Sequence, residues 1–453
     1  MRAPAQQPRA AGAARGPATA PRAPALRGAT WRGACRVATQ VDAVEAPRPA
    51  DPVEAPKPAS DPELAAKRSA FKIMTFSAQP YVNKYFLEPL QAAGFDNIKG
   101  TEASAGTGAP RACGRACTQR QRQPPPAEPG HASARLGIDT VKIASGYDAI
   151  CLFVNDLCDA EVINALAEGG VKFIAMRCAG YDRVDVAAAN AAGIKVVRVP
   201  TYSPTSVAEH AVALLFAIDR HIVGAINRVT QGNYSLSGLV GRQLGGKTIG
   251  ILGTGAIGAE AARIFKGIGM KVLAYDIRPN PAVEALGIPY LPWEEILPQA
   301  DVISLHMPLL PSTYHFIDEA KVAMMKPGVV LLNVSRGGLI DTPALIYGVR
   351  SGHIGGAGLD VYEKEGERPC PRAARGVALR DLTDLQPRDR MVFWDRRLIE
   401  LIALPQVLVT PHTAFLTAEA LVNIADTTVQ NIDQFMLGKP LGNEVKPPPP
   451  AKS

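Results

Sequence analysis

The sequence predicts an α/β protein of two doubly wound parallel-sheet domains, Rossmann-like or flavodoxin-like, with a cleft between them. Three observations predict it. Short apolar runs alternate with helix-like segments over most of the chain from Phe71 to Thr410, the pattern of strands joined by helical crossovers. One such unit carries the turn Gly253-Thr254-Gly255-Ala256-Ile257-Gly258 between an apolar run and a helical segment. Three of the later runs end in polar residues, and in open parallel sheets ligands lie beyond the strand carboxyl ends.

The elements follow in order. Residues 1–41 hold seven Arg and no acid, the composition of an organellar transit peptide. A solvated tail or a mistaken upstream start is the other reading. The scarcity of Ser leaves the mitochondrion open beside the favoured chloroplast stroma. Residues 42–69, rich in acids, Pro and Ala, read as a disordered linker. Phe71–Phe76 opens an ordered domain with a strand, and Tyr81–Ala93 is helical. Residues 104–134 contain Pro124-Pro125-Pro126 and nothing to build a core. They are a disordered insert or retained noncoding sequence. Strands resume at Ala149–Val154, Val171–Met176 and Lys195–Val199, with a helix over Val184–Ala192. This first domain spans 70–202.

A long helix over Thr205–Asn227, capped at Ser203 with Pro204 in its first turn, begins the second domain, 203–409. Its strands are Lys247–Leu252, Lys271–Tyr275, Val302–His306, Val329–Val334, Gly356–Leu359 and Val407–Thr410. A second Arg- and Pro-rich interruption covers 366–390. Residues 410–442 return to the first domain, and 443–453 read as a disordered tail.

The net charge of +7 is concentrated in the Arg-rich N-terminus and first insert. The remainder is mildly acidic, which gives no reason to expect a nucleic-acid partner. No run approaches the ~18 apolar residues of a membrane span. The seven Cys lack the spacing of a disulfide framework or a zinc site, and Cys113, Cys117 and His131 do not complete one. No metal is expected.

In the glycine unit, Gly253 permits the tight turn, Gly255 lets backbone approach a pyrophosphate, and Gly258 lets helix pack on sheet. Ala256 and Ile257 begin the helix, whose free N–H groups and dipole favour phosphate. Asp276 ends the following strand, where an acid accepts from adenosine ribose hydroxyls and repels a 2′-phosphate. The unit reads as a dinucleotide site selecting NAD, with Arg278 partly offsetting the repulsion.

Three strand ends beyond it carry chemistry: Asn333–Gly338, Asp360–Glu365 and Thr410–Phe415. Reducing a ketone needs a hydride to carbon and a proton to oxygen. An imidazole titrates near neutrality, so His412 can give the proton. Glu365 on its far nitrogen would fix one tautomer. The fork of Arg336 matches a carboxylate and polarises the adjacent carbonyl. Taken singly, Arg336 reads as a surface ion pair and Glu365 as a solvated turn residue. The glycine unit upstream joins them into one site. His210 reads as packed at the hinge and Cys178 needs no redox role. His306 is open between cofactor contact and core.

Over Cys151–Asn155, Arg177–Asp182, Val199–His210, Gly253–Gly258, Asn333–Gly338, Gly358–Glu365 and Val409–Ala420 the chain resembles the D-isomer-specific 2-hydroxyacid dehydrogenases, and their fermentative lactate branch in particular. The resemblance implies that Arg336 binds and activates substrate, His412 is the acid/base and Glu365 its partner. Glu363 competes for that last role. Asp360 becomes a supporting acid near the cofactor. Backbone N–H groups of Ala179 and Gly180 would hold the substrate carboxylate. Tyr202 and Phe415 would close over a small side chain. The implied activity is reversible, NADH-dependent reduction of pyruvate to D-lactate by a homodimer joined through the nucleotide domain. The rivals are a reductase of glyoxylate or hydroxypyruvate and a NAD-sensing, corepressor-like scaffold. The two interruptions depart from the family pattern, and the second lies close after Glu365.

Overall fold

The computed structural model describes residues 61–78, 80–100, 135–154, 156–363 and 396–447. The expectations for 1–41, 104–134 and 366–390 lie outside these residues, and so does Glu365. Among the described residues no helix is long and apolar enough to cross a membrane.

Two all-parallel sheets organise the chain. The first holds β1 (Ile73–Thr75), β2 (Ile98–Gly100), β3 (Ala149–Leu152), β4 (Phe173–Met176) and β5 (Lys195–Val197) in the order β2-β1-β3-β4-β5. The second holds β6 (Thr248–Leu252), β7 (Lys271–Tyr275), β8 (Val302–Leu305), β9 (Val329–Asn333), β10 (Ile354–Leu359) and β11 (Val407–Val409) in the order β11-β10-β9-β8-β6-β7. β3, β4, β8 and β9 are buried at every position. Helices cover both faces of such sheets, so apolar residues run on without alternation. Each sheet reverses its winding once, between β1 and β3 and between β6 and β8. That reversal opens a crevice at the strand ends.

The second sheet ends on a level row. Tyr275 pairs with Leu252, Leu252 with Leu305, Leu305 with Asn333, Asn333 with Leu359, and Leu359 with Val409. Gly253, Asp276, His306, Val334, Asp360 and Thr410 come one residue later, so the topology itself brings them to one rim.

The helix expected over Thr205–Asn227 is two helices, Pro204–Asp219 and Ile222–Thr230. The first begins as its sequence predicts, with Ser203 Oγ accepting from Ser206 N at 3.2 Å and Pro204 in its first turn. It stops because the chain returns across its end. Arg242 donates to the buried Asp219 carboxylate at 2.6 and 2.9 Å, and its own N–H takes the Asp219 carbonyl. His221 then turns the chain with φ +50°. Apolar periodicity continues past the break through Ile222, Val223, Ile226 and Val229, but these side chains face solvent. The pattern therefore overstated the length of one helix.

Two expectations of disorder are corrected. Residues 62–69 of the supposed linker belong to the helix Pro62–Ala70, capped by Asp61. Composition missed it because its anchor is remote: Arg68 is buried and makes a two-pronged contact with Asp433 at 2.6 and 2.9 Å, across 365 residues. The start of the supposed tail is also ordered. Val445 N–H donates to Val196 O at 2.8 Å and Glu444 pairs with Lys195 at 2.8 Å, which covers the β5 edge. The helix Ala418–Met436 carries the chain back onto the first sheet, where Phe435 stacks on Phe173 at 4.4 Å between ring centroids.

Candidate active site

A cavity of about 470 Å³ lies beyond the strand ends of both sheets. Its wall includes Cys178–Asp182 after β4, Arg198 after β5, His306–Leu310 after β8, Ser335 and Arg336 after β9, Asp360 after β10, and His412, Ala414 and Phe415 after β11. Ala179, Gly180, Tyr202, Ile257, Arg336, Asp360, His412 and Phe415, all singled out from sequence, share this wall.

The glycine turn fits a dinucleotide for reasons of space. Gly253 has φ +95°, and a Cβ on it would lie 2.7 Å from the carbonyl carbon of His306. A Cβ on Gly258 would fall on the Gly253 carbonyl, whereas one on Gly255 would meet nothing within 4 Å. The turn is closed toward the protein and open toward the ligand. The helix Ala256–Gly267 starts without a side-chain cap, so its first N–H groups remain available to phosphate. Asp276 is half-buried. Its Oδ2 accepts from Thr254 N at 2.6 Å and its Oδ1 from Arg278 N at 3.1 Å, which ties the acid to the glycine turn.

His412 occupies a tight turn with φ +55°, a conformation disfavoured for a non-glycine residue. Asp360, fully buried, holds that turn. Its Oδ1 accepts from Thr410 Oγ1 at 2.6 Å and Thr413 N at 2.8 Å, and its Oδ2 from Ala414 N at 2.8 Å. His210 braces the same group, with Nε2 3.0 Å from Thr410 Oγ1 and 3.5 Å from Asp360 Oδ1. The expected hinge packing of His210 is thus a polar contact behind His412.

Arg336 leaves β9 on a loop fixed from inside. Asn333 Nδ2 donates to Arg336 O at 2.8 Å, and Ser335 Oγ donates to Met307 O at 2.6 Å. A Cβ on Gly337 would fall on the Tyr362–Glu363 backbone, so this loop lies directly on the β10 exit. A Cβ on Gly180 would fall on Arg336 Nη2. The guanidinium therefore covers the Ala179–Gly180 backbone, and Arg336 Nε lies 3.5 Å from Asp182 Oδ2.

Sequence reasoning missed Asp182 and Arg198. Arg198 Nη1 donates to Ala179 O at 2.9 Å, with its guanidinium 5.2 Å from the Tyr181 ring centroid. It sits one residue past β5, so the strand-end rule applied to the first sheet would have found it. Asp156 was missed too. It is buried and accepts from Ser77 Oγ, Leu136 N and Phe153 N, binding the ends of β1 and β3 to the segment at Leu136.

Glu363 is engaged elsewhere. It accepts from His315 Nε2 at 2.6 Å and from Thr342 Oγ1 at 2.6 Å. Burial opposes its ionisation, but the hydrogen bonds from Thr342 and His315 prevail and hold the carboxyl below its usual range. Asp341 stands 3.8 Å from the other nitrogen, His315 Nδ1. The three side chains bring one nitrogen or carboxylate oxygen each within 4.8 Å of one another, a spacing that could hold a metal ion.

Aromatic rings close the far wall of the cavity. Phe415 lies 5.6 Å from Phe153 and 6.0 Å from Tyr202 between centroids. The thiol of Cys178 is pushed up to about 12 by burial, so it is no ready nucleophile.

The family model of the D-isomer specific 2-hydroxyacid dehydrogenase, NAD binding domain, matches residues 212–414. The chain is 46% identical over 301 residues to 2-hydroxyacid dehydrogenase homolog 1 of Schizosaccharomyces pombe, spanning 66% of this chain and 86% of that protein. It is 44% identical over 306 residues to the D-lactate dehydrogenase of Escherichia coli strain K12, spanning 68% and 88%. The solved structure of a pyruvate reductase of Chlamydomonas reinhardtii superposes with a TM-score of 0.70 and 49% identity, covering 83% of this chain and 100% of that one. With its glycine turn, two parallel sheets and shared rim, the chain belongs to the D-isomer-specific 2-hydroxyacid dehydrogenase family and is an NAD-dependent oxidoreductase.

Proposed function

We propose that the chain reduces pyruvate to D-lactate with NADH, reversibly. The observation that carries this reading is the shared wall: Arg336, His412 and an aromatic cluster line one small cavity beside the glycine turn. The likeness to a pyruvate reductase and to a D-lactate dehydrogenase supports the choice of substrate.

Arg336 takes the substrate carboxylate in its fork and draws electron density from the adjacent carbonyl. The Ala179 and Gly180 N–H groups assist it. His412 gives its proton to the carbonyl oxygen and recovers one from water after product leaves. Bound NADH supplies the hydride. Gly253, Gly255, Ala256, Ile257 and Gly258 hold its pyrophosphate, and Asp276 takes the adenosine ribose. Asp360 acts as a positioning acid that fixes the His412 turn. Phe415 and Tyr202 exclude water and leave room for a methyl group. Glu365 is the proposed partner of His412, a role that the bonds of Glu363 to His315 and Thr342 leave open.

Steady-state assays with pyruvate, glyoxylate and hydroxypyruvate plus NADH test the substrate. A kcat/KM for pyruvate below either competitor would overturn it, and no turnover with any of the three would favour a NAD-sensing scaffold. The pH–rate profile tests the partner. Reduction needs charged His412, and losing a neighbouring anion disfavours the charged form, so the falling limb should move toward acid. Glu365→Gln should show that shift and Glu363→Gln should not.

A homodimer is part of the same proposal. The helix Ile222–Thr230 buries none of its residues, and Ile226, Val229, Leu236 and Val240 are exposed on it and its following loop. Such a patch calls for a partner. Sedimentation of Ile226→Glu should yield monomer where the unaltered chain sediments as a dimer.

A further inference from the structure

Three side chains able to hold a metal meet away from the cavity. His315 lies beyond β8, Asp341 beyond β9 and Glu363 beyond β10, and none of them lines the cavity wall. One imidazole nitrogen and one oxygen of each acid lie within 4.8 Å of one another. The imidazole is fixed in place. The Tyr314 ring stacks on it at 3.9 Å between centroids, and His315 N–H donates to Gly338 O at 2.8 Å. Thr342 Oγ1 donates to Glu363 Oε2 at 2.6 Å, which leaves Oε1 turned to His315 Nε2.

Hydrogen bonds do not complete this cluster. Asp341 is the N-cap residue of the helix Thr342–Arg350, yet its side chain makes no capping bond, where an aspartate ordinarily accepts from the first turn. Its carboxylate is turned instead toward His315 Nδ1. Charge is unbalanced too. Among the described residues neither acid has a Lys or Arg partner, so two carboxylates share one imidazole, and the Glu363 side chain is only 10% exposed. An anion so nearly buried needs a compensating cation.

We propose that His315, Asp341 and Glu363 form a structural site for a divalent transition-metal cation, zinc by its ligand set. Imidazole with two carboxylates suits zinc, whereas magnesium and calcium take oxygen ligands. Ligand atoms around one tetrahedral zinc stand about 3.4 Å apart, so the triangle draws in, and the uncapped Asp341 is the side chain free to move. The ion takes the place of the proton that His315 Nε2 shares with Glu363, and that proton passes to water. Water fills the remaining position. The cation touches no substrate. It ties three strand exits together beside Arg336, whose loop packs Gly337 on the Tyr362–Glu363 backbone.

Zinc binding to the metal-stripped full chain tests the site, by equilibrium dialysis and by melting temperature with and without Zn²⁺. The unaltered chain should bind a zinc whose Kd rises about tenfold or more in Asp341→Asn. The Asp341 side chain makes no capping bond, so the metal-free melting temperature should be the same in both proteins. Zn²⁺ should raise the melting temperature of the unaltered chain and leave Asp341→Asn and His315→Gln unmoved. Zinc held by cysteines elsewhere is common to all three proteins and cancels in the comparison. Equal zinc uptake by the unaltered chain and Asp341→Asn would overturn the site. An equal melting response to Mg²⁺ would overturn it as well, because it would mark a diffuse acidic surface. If His315→Gln folds poorly, Asp341→Asn decides alone.

Discussion

Tyr275, on the edge strand β7, and Leu359, on β10 next to the other edge, stand level in the second sheet, and an aspartate follows each. Both acids accept from a neighbouring turn, Asp276 from the glycine turn and Asp360 from the His412 turn. They differ in exposure. Asp276 is half-buried with a face to solvent, so lone pairs remain for ribose hydroxyls. Asp360 has no exposed surface, and both its oxygens are taken by Thr410, Thr413 and Ala414. An accessible acid at a strand end recognises; a sealed one holds something else in place. Transition-state chemistry needs the second kind of support, because a misplaced proton donor loses rate steeply.

The comparison breaks first if the sealed rim is not where the chemistry occurs. His412→Ala should reduce kcat by about 10²–10⁴-fold, with NADH affinity nearly unchanged. A loss of NADH binding in that variant would place His412 on the cofactor side. Asp360→Asn comes next. Its amide can satisfy one side of the turn but sets an N–H against the other. Urea unfolding should show a loss of about 2–3 kcal/mol, together with a fall in kcat and little change in NADH Kd. A stable Asp360→Asn protein with full kcat would mean that the buried acid positions nothing.

His306, between the two rims, supplies a smaller effect that depends on pH. Its folded pKa, about 4, lies below the 6.5 of an exposed imidazole. The unfolded chain therefore takes up the proton first as pH falls. The contribution is complete above about 6.5 and is lost as pH drops toward 4. Roughly 3 kcal/mol is at stake across the whole window, and about 2 kcal/mol of it between pH 7 and 5. Stability curves at pH 7 and 5 should converge for His306→Phe relative to the unaltered chain. An identical pH dependence of the two proteins would show that the ring is not the sensitive group.

The features legible in the sequence were those fixed by near neighbours. Gly253, Gly255 and Gly258 act within one turn, and their spacing states their roles. The polar ends of β9, β10 and β11 could be read because strand ends form a rim in any parallel sheet. What escaped depended on distant partners. Arg68 finds Asp433 across most of the chain, and composition alone made its helix a linker. Arg242 stops a helix at Asp219 whose apolar pattern ran on. Asp360 could be read as a supporting acid near the cofactor, but what it supports is visible only in its bonds to Thr413 and Ala414. His306 could be placed at a strand end, but nothing in the sequence announces that its Nδ1 is buried without a hydrogen-bond partner in the protein.

The smallest expected effect lies on the exposed rim. Asp276→Ser removes a carboxylate whose Oδ2 also receives Thr254 Oγ1 at 3.2 Å. Water can reach the half-exposed donors left behind, so unfolding should change by less than about 1 kcal/mol. Cofactor choice should move more. A carboxylate at this position repels a 2′-phosphate, and serine neither repels it nor accepts from both ribose hydroxyls. Arg278, exposed two residues on, becomes free to attract the phosphate. The ratio of kcat/KM for NADPH to that for NADH should rise about tenfold, equivalent to roughly 1.4 kcal/mol. Equal use of both cofactors by the unaltered enzyme would break the assignment of Asp276 as the recognising acid. A large loss of stability in Asp276→Ser would break it differently, because the exposed aspartate would then hold its turn as firmly as the sealed one.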